Sequence, residues 1–284
     1  MNFPINPDLH NHSAISDGTL TPEQLAARAR ANGVDLWALT DHDEVSGQAR
    51  ALAAARAEGI RYLTGVEISV TFADTAVHIV GLGFDAGDVQ LIAGLAATRD
   101  GRHARAQAMA QRLEQLGIPG TYQGALQYAG NPDMIGRTHF ARHLIETGVC
   151  RDTAEVFRKY LADGKPACVP HQWAKLGDAV RWITQAGGMA VIAHPARYNF
   201  TPTVQYALFA EFKAHGGQGV EVVTGSHTAD ETRQYAGMAR EFNLAASRGS
   251  DFHGPREGQR DLGQLDPLPA GLTPIWTLLA ERIQ

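Results

Sequence analysis

An α/β fold closed into a barrel is what this sequence predicts, and three observations predict it. Short apolar segments alternate with amphipathic or alanine-rich ones along most of the 284 residues. Histidines and carboxylates gather where the apolar segments end. Polar groups at several strand C-termini favour a barrel over an open sheet, because barrel strands deliver those ends to one mouth. With 44% hydrophobic residues the chain can bury a large core, as one domain or as one domain with an insertion.

The elements follow in order. Asp8-Leu9-His10-Asn11-His12 closes a first strand. Thr21-Pro22-Glu23 starts a helix, with a hydroxyl N-cap, proline at the first position and an acid in the first turn. That helix runs to about Asn32, where Gly33 supplies the stop. Val34 to Leu39 is a short strand ending in Thr40-Asp41-His42-Asp43. Gly47 to Glu58 is helix closed by Gly59, Ile60 to Val70 a strand carrying Glu67, and Val77 to Phe84 a strand carrying His78. Later, Asp178 to Ala186 reads as helix and Met189 to Ala193 as a strand ending in His194-Pro195. Val204 to His215 is helix, Val220 to Val223 strand, Asp230 to Phe242 helix, and Leu244 to Ser247 strand ending in Gly249-Ser250-Asp251-Phe252-His253.

Residues 97–165 break this rhythm. Helical patterns run from Ala97 to Leu116, near Thr138–Glu146 and over Asp152–Leu161, so the segment reads as a helical insertion in a barrel formed by 1–96 and 166–284. It holds ten Lys/Arg and seven Asp/Glu, net +3, against −8 for the remainder. A positive cap over an acidic mouth suits an anionic substrate.

The net charge of −5 argues against binding long nucleic acid. Cys150 and Cys168 form no CxxC pair and no disulfide framework, which fits a reducing cytoplasm. Met1-Asn2-Phe3-Pro4-Ile5 has neither a basic nor an apolar leader region. No apolar run approaches the roughly 18 residues that span a bilayer. Together these lead to the expectation of a cytoplasmic protein with no membrane segment.

Six of the twelve histidines, His10, His12, His42, His78, His194 and His253, lie at or on predicted strands beside carboxylates; Asp17, Glu67 and Asp251 stand at comparable positions. Singly, each is an ordinary histidine. His-x-His on a strand, however, places both imidazoles on one face, because side chains alternate with period two. Asp251-Phe252-His253 repeats the pattern with a carboxylate. Nitrogen and oxygen donors without thiolate suit Zn²⁺, Mn²⁺ or Fe²⁺. Nine candidates exceed one ion's needs and match two or three, and a pair of metals can clamp both oxygens of a phosphoryl displacement.

Asp8-Leu9-His10-Asn11-His12-Ser13 with Ser16-Asp17-Gly18 resembles the first motif of the PHP (polymerase and histidinol phosphatase) family. Thr40-Asp41-His42-Asp43 resembles its second and Gly65-Val66-Glu67 its third. Ala193-His194-Pro195 and Gly249-Ser250-Asp251-Phe252-His253 resemble the later ones. The resemblance implies a distorted (β/α)7 barrel, related to amidohydrolases, with a two- or three-metal centre in which Mn²⁺ is the first choice and Zn²⁺ or Fe²⁺ the others. By motif position it assigns His10, His12, Glu67 and Asp251 to one metal, Glu67 (bridging), His78 and His194 to a second, and Asp17, His42 and His253 to a third. Many members carry histidine where Asp17 stands, which changes the charge of the third site.

The insertion resembles a branch of phosphatases acting on nucleoside 3′,5′-bisphosphates, with related members that trim short RNA from the 5′ end. In that light Arg99, Arg102, Arg105, the Gly136-Arg137-Thr138-His139 turn and Lys165 are its phosphate-facing elements, with Arg197 beside them. Arginine suits phosphate because its planar fork binds two oxygens at once. The implied reaction removes a 3′-phosphate to leave a nucleoside 5′-monophosphate. Its nucleophile is a metal-bridging hydroxide held by Glu67 with Asp17 and His194 adjacent, and His227 is a further substrate contact and one candidate acid. The alternatives are a 5′-to-3′ exoribonuclease on short RNA, a histidinol-phosphate phosphatase, and an inactive metal- or nucleotide-binding module. The implied partner is a small phosphorylated nucleotide.

Overall fold

A computed structural model describes residues 6–257 and 260–284. Its elements are β1 (Pro7–Asp8), α1 (Pro22–Ala31), β2 (Leu36–Trp37), α2 (Gln48–Glu58), β3 (Arg61–Tyr62), β4 (Gly65–Phe72), β5 (Thr75–Leu82), α3 (Val89–Arg99), α4 (Arg102–Gln115), α5 (Thr121–Leu126), α6 (Arg137–Glu146), α7 (Thr153–Val156), β6 (Ala174–Lys175), α8 (Leu176–Gln185), β7 (Met189–Ile192), α9 (Pro202–Ala214), β8 (Gly219–Thr224), α10 (Ala229–Glu241), β9 (Ala245–Gly249) and α11 (Ile275–Leu278). The leaderless reading of Met1–Ile5 falls outside the described residues. No helix among the described residues is long and apolar enough to cross a membrane.

Two hydrogen-bonded sheets, β1-β2-β3 and β6-β4-β5-β7-β8-β9, join at both ends. On one side β3 runs on into β4, and Asp43 N donates to Glu67 O at 2.8 Å while Glu67 N donates to Asp41 O at 3.2 Å. On the other, Leu9 N donates to Arg248 O at 3.1 Å and Asp251 N donates to His10 O at 2.7 Å. The circuit β1, β2, β3–β4, β5, β7, β8, β9 is therefore a closed α/β barrel of the (β/α)7 kind, with β6 beside the far end of β4.

The distortion is one βα unit replaced by a hairpin. Ala73 and Asp74, with φ of 45° and 58°, make the tight turn between β4 and β5. β5 consequently runs antiparallel to both β4 and β7, while the remaining pairings are parallel. The inversion brings His78, near the start of β5, to the same end as the strand C-termini.

Apolar residues from around the circuit, among them Leu9, Leu36, Leu63, Val80, Leu82, Val191 and Ala245, form one buried cluster with Ile275 and Leu279 from the C-terminal segment. These side chains fill the end opposite the histidines. The helices α3, α8, α9 and α10 cover the outer face through a larger cluster that includes Leu91, Ile183, Phe209 and Tyr235.

Most expected helices appear within two residues of their predicted ends, and α1 carries the expected cap: Thr21 and Gln24 form a reciprocal capping box. Three expectations need correction. The strand Ile60 to Val70 is two strands, because the Gln48 side chain wedges in: its Nε2 donates to Leu39 O and Gly65 O at 2.9 and 2.7 Å, and its Oε1 accepts from Gly65 N at 3.1 Å. The helix Ala97 to Leu116 is two helices broken at Asp100–Gly101, where Gly101 has φ of 86°. The first of these starts at Asp88, whose carboxylate accepts from Gln90 N and Leu91 N, and it packs on the barrel rather than on the cap. The helix Asp152 to Leu161 is one α turn followed by a wider π turn, Phe157–Leu161. A separate apolar cluster running from Ala106 to Ala167 gives the cap its own core, with Tyr122 and Tyr160 packed against it.

Candidate metal centre

The histidine-bearing loops all open at one end of the barrel. His10 and His12 follow β1, Asp17 lies in the turn before α1, and His42 follows β2. Glu67 lies within β4, His78 within β5, His194 follows β7, and Asp251 and His253 follow β9. The Asp17 turn closes by Ser16 N and Gly18 N donating to Ser13 O at 3.1 and 2.8 Å. Only glycine fits at 18, since a Cβ there would sit 2.0 Å from His12 O. Asp43, His194 and Asp251 adopt positive φ values of 46°, 24° and 54°. Such backbone strain outside glycine gathers where a site over-determines the conformation.

Glu67 is the hub. Its Oε1 lies 3.2 Å from His10 Nε2, 2.9 Å from His78 Nδ1 and 2.9 Å from His194 Nε2. Its Oε2 lies 3.3 Å from His12 Nε2 and 2.9 Å from His42 Nδ1. Asp251 Oδ1 stands 3.4 Å from His10 Nε2 and 3.1 Å from His12 Nε2. Asp17 Oδ1 stands 3.4 Å from His253 Nε2 and 3.9 Å from His12 Nδ1, and its Oδ2 3.8 Å from His42 Nε2. Three donor groups result: His10, His12, Glu67 and Asp251; His42, Glu67 and His78; and His12, Asp17, His42 and His253. All nine residues expected from the sequence thus come together, His194 joining through Glu67.

Donor atoms so placed fit divalent cations. Bonds of about 2.1 Å in tetrahedral or octahedral geometry leave neighbouring donors roughly 3.0–3.4 Å apart, the spacing found around Glu67 and Asp251. His10 Nδ1 lies 2.8 Å from Glu221 Oε1. In neutral His10 that contact takes the one ring proton, so a bare Nε2 faces His12 Nε2 at 3.3 Å. Two such nitrogens among carboxylates call for a proton or a metal between them. Among the described residues, buried His12 Nδ1, Asp17 Oδ1 and His194 Nδ1 have no hydrogen-bond partner, and His42 Nδ1 and Glu67 Oε2 face each other at 2.9 Å without hydrogen-bond geometry, a concentration out of keeping with ordinary interiors.

The electrostatics follow. Burial drives His12 down to about 3, helped by charge on His253 and His42. Burial likewise lowers His194 to about 4, with Arg197 adding to it. Burial works against His42 as well, but Glu67 and Asp17 outweigh it and lift the ring to about 9. Burial opposes the charged form of Glu67 too, yet the facing His78, His10 and His42 hold its carboxyl well below the usual range. A pH dependence follows for the metal-stripped protein. A histidine raised on folding stabilises fully below its unfolded value near 6.5 and loses that contribution as pH rises through about 9. In that window the carboxylates are ionised in both states, and His12 and His194 are neutral in both. Thermal melts in chelator should therefore show lower stability at pH 9 than at pH 7, with a weaker slope once metal replaces the protons. Equal or higher stability at pH 9 would contradict this charge assignment.

Glu221 escaped the sequence reading. Its Oε1 orients His10, and its Oε2 accepts from His194 N at 2.7 Å. An acid inside Gly219-Val220-Glu221-Val222-Val223 is the signal that could have found it. Outer partners of this type typically tune metal affinity 10–100-fold. Glu221→Gln is expected to weaken metal binding about tenfold, read as the dissociation constant in a metal titration; an unchanged isotherm would remove it from the site.

Above the carboxylates lies a cavity of about 540 Å³, lined among others by Arg102, Arg105, Arg137, Phe157, Trp173 and Arg197. Arg102 and Arg105 share a helix face as expected, and both lie over the Trp173 ring, at 4.7 and 5.3 Å. Arg102 is paired with Asp43, whose Oδ1 and Oδ2 accept from Ser69 N and Oγ. Arg99 binds Asp43 O and Glu44 rather than the cavity. Arg105 Nε donates to Val169 O at 2.9 Å, and Arg197 pairs with Asp251. Among the described residues, Arg137 makes only long polar contacts, 3.3 Å to Asp163 and 3.4 Å to Leu161 O. Three expected substrate contacts lie off the lining. Lys165 is exposed on its turn. His139 is buried in α6 with Nδ1 accepting from Gly136 N at 3.0 Å. His227 points Nδ1 at Val222 O, 3.0 Å away, and packs on Tyr235.

Comparisons with known proteins agree with this architecture. The family model "PHP domain" matches residues 8–160. The chain is 52% identical to a 3′,5′-nucleoside bisphosphate phosphatase of Chromobacterium violaceum over 98% of both chains. It is 41% identical to a 5′-3′ exoribonuclease of Haemophilus influenzae, over 95% of this chain and 97% of that one. Among solved structures, an amidohydrolase from Chromobacterium violaceum with bound sulfate and no metal superposes with a TM-score of 0.96 at 51% identity, over 98% of this chain and 97% of that one. A protein of Bifidobacterium adolescentis provisionally assigned as a metal-dependent phosphoesterase superposes at 0.82 with 27% identity, over 97% and 96%. The closed barrel with one inverted strand, the carboxylate ringed by histidines and these similarities have one conclusion: the chain belongs to the PHP domain family.

Proposed function

We propose that the protein is a metal-dependent phosphoric monoester hydrolase that removes the 3′-phosphate from nucleoside 3′,5′-bisphosphates, leaving nucleoside 5′-monophosphate and phosphate. The observation that carries this reading is the stacking of two opposed fields. A buried carboxylate ringed by five imidazoles lies at the floor, and four arginines stand in the walls of the same cavity. A phosphate between them meets cations on both sides, and a second phosphate on the same nucleotide has the cap arginines left to bind. The 52% identical phosphatase supports the choice of substrate.

His10, His12, Glu67 and Asp251 would hold one ion, and Glu67, His78 and His194 a second, with His42 also within reach. Asp17, His42 and His253 would hold a third. Two or three Mn²⁺ ions are proposed, with Zn²⁺ or Fe²⁺ as the alternatives. When bound, such ions supply Lewis acidity toward phosphate oxygens and lower the pKa of water toward neutrality. The chain's own work is to orient and neutralise. Glu221 fixes the His10 ring, His194 borders the Glu67 carboxylate, Asp17 faces it across the His42 ring, and Arg105, Arg137 and Arg197 present N–H groups to phosphate oxygens. His227 is not proposed as the acid, since its Nδ1 contact with Val222 O leaves Nε2 as an acceptor in the neutral ring. The free thiols of Cys150 and Cys168 accord with a cytoplasmic location.

The second reading, a 5′-to-3′ exoribonuclease on short RNA, is favoured by the 41% identical relatives. A histidinol phosphate would set its cationic amine among the arginines, which like-charge repulsion opposes. Kinetics with manganese on a nucleoside 3′,5′-bisphosphate, histidinol phosphate and a 5′-phosphorylated oligoribonucleotide discriminate the three. The highest kcat/KM is expected on the bisphosphate. No phosphate release from any of them after chelation and metal add-back would sink the enzyme reading altogether.

A further inference from the structure

We propose that Arg142 is a positioning residue through which the helical cap builds the Asp17–His42–His253 metal group; the inference rests on the two- or three-metal reading above. Arg142 lies on α6, on the cap, and its side chain is only 10% exposed. Its Nε and Nη2 grip the Glu257 carboxylate as a two-pronged pair, both at 2.7 Å. The same Nη2 donates to Asp17 O at 2.5 Å. One guanidinium therefore ties together the cap, the turn that carries Asp17 and the loop that carries His253.

Those two barrel loops also lean on each other. Thr19 N donates to His253 O at 2.7 Å, and a Cβ on Gly254 would lie 2.3 Å from Thr19 Oγ1. The cap touches the Asp17 turn a second time, since a Cβ on Gly130 would lie 2.3 Å from Ala14 O. His139, three residues before Arg142 on α6 and so on the same face, is fully buried, with Nε2 unpartnered. Its Nδ1 accepts from Gly136 N, so Nε2 carries the proton of the neutral ring. The donor groups around Glu67 have a different mounting. Their residues sit on or beside β1, β2, β4, β5, β7 and β9; Glu221 braces His10 and His194, and Arg99 and Arg102 reach Asp43, beside His42, apart from the Arg142 contact. A guanidinium that holds a backbone carbonyl fixes where the carboxylate of the same residue points. Removing it should cost the Asp17 group its geometry and leave the Glu67 groups intact.

The experiment is a manganese titration of the full chain by calorimetry, with bound metal counted after dialysis. Wild type is expected to show a tight class and a weaker, further equivalent. In Arg142→Gln the further equivalent is expected to weaken about tenfold or more, with the tight class unchanged. Arg50→Gln is the control: it breaks another two-pronged arginine pair, with Glu23, neither of them a member of the three donor groups, and should leave both classes as in wild type. If Arg142→Gln fails to fold, Glu257→Gln takes its place and should weaken only the further equivalent, by a smaller factor. Loss of the tight class in step with the further one, or an isotherm like that of wild type, would overturn the proposal. So would a wild type that binds no further equivalent. A wild type that binds no metal at all would instead refute the metal-dependent reading itself.

Discussion

Glu67→Gln is expected to lower turnover of a nucleoside 3′,5′-bisphosphate by at least about 10³-fold and to strip the protein of most of its metal. Glutamine is isosteric and fits the same buried slot, so folding is spared. What changes is the charge at the point where five ring nitrogens converge within 2.9–3.3 Å. A neutral amide presents one oxygen to that ring and a hydrogen-bond donor where the other oxygen stood. It can neither bridge two cations nor offset their charge. A second readout separates this from general damage. Glu67 is the foremost group raising His42 to about 9 against its burial, so the metal-free variant should show His42 titrating lower by NMR. Turnover and metal content close to wild type would remove Glu67 from the centre.

Much of that hub was legible in the sequence, because the signal was local. His10-x-His12 and Asp251-x-His253 sit where an apolar run meets polar residues, and Glu67 and His78 interrupt the apolar runs of adjacent strands. All of them reach the same mouth in the folded chain. Period-two alternation and the logic of strand ends suffice for this. What stayed hidden depends on partners far along the chain. Arg142 reads as one more cap arginine, because its partners lie 115 and 125 residues away. Arg102 reads as a phosphate ligand, yet it is also the strap to Asp43, 59 residues upstream. Trp173, the platform for Arg102 and Arg105, lies in a segment with no periodicity to mark it.

The fold shows the same division. Helix ends with chemical punctuation were readable, as Thr21 and Gln24 demonstrate. The strand break at Leu63–Thr64 was not, because a side chain causes it: Gln48 takes up the backbone groups of Leu39 and Gly65. The inversion of β5 turns on the two residues Ala73 and Asp74, neither of them a glycine, adopting positive φ. A conventional hairpin signal would have needed Asn-Gly or Asp-Gly there.

Arg137→Ala is expected to raise KM for a nucleoside 3′,5′-bisphosphate roughly 100-fold while changing kcat little, and to affect a nucleoside 3′-monophosphate far less. The reason is how the cavity arginines are already committed. Arg102 and Arg197 are each held by a carboxylate, of Asp43 and Asp251, and Arg105 uses its Nε on Val169 O. Arg137 is held only by the two long contacts at 3.3 and 3.4 Å, and its acidic partner Asp163 is 68% exposed. An exposed pairing of that kind contributes about 0–1 kcal/mol and exchanges readily for another anion. Packing over Phe157, 5.6 Å away, still fixes the plane of the fork. A phosphate that displaces Asp163 gains two charge-assisted bonds from a group already in place, so the loss falls on binding and not on the chemical step. The monophosphate has no second phosphate to lose. Equal effects on both substrates would place Arg137 over the reacting phosphate, and no effect on either would leave the cap's positive charge without a role in substrate choice.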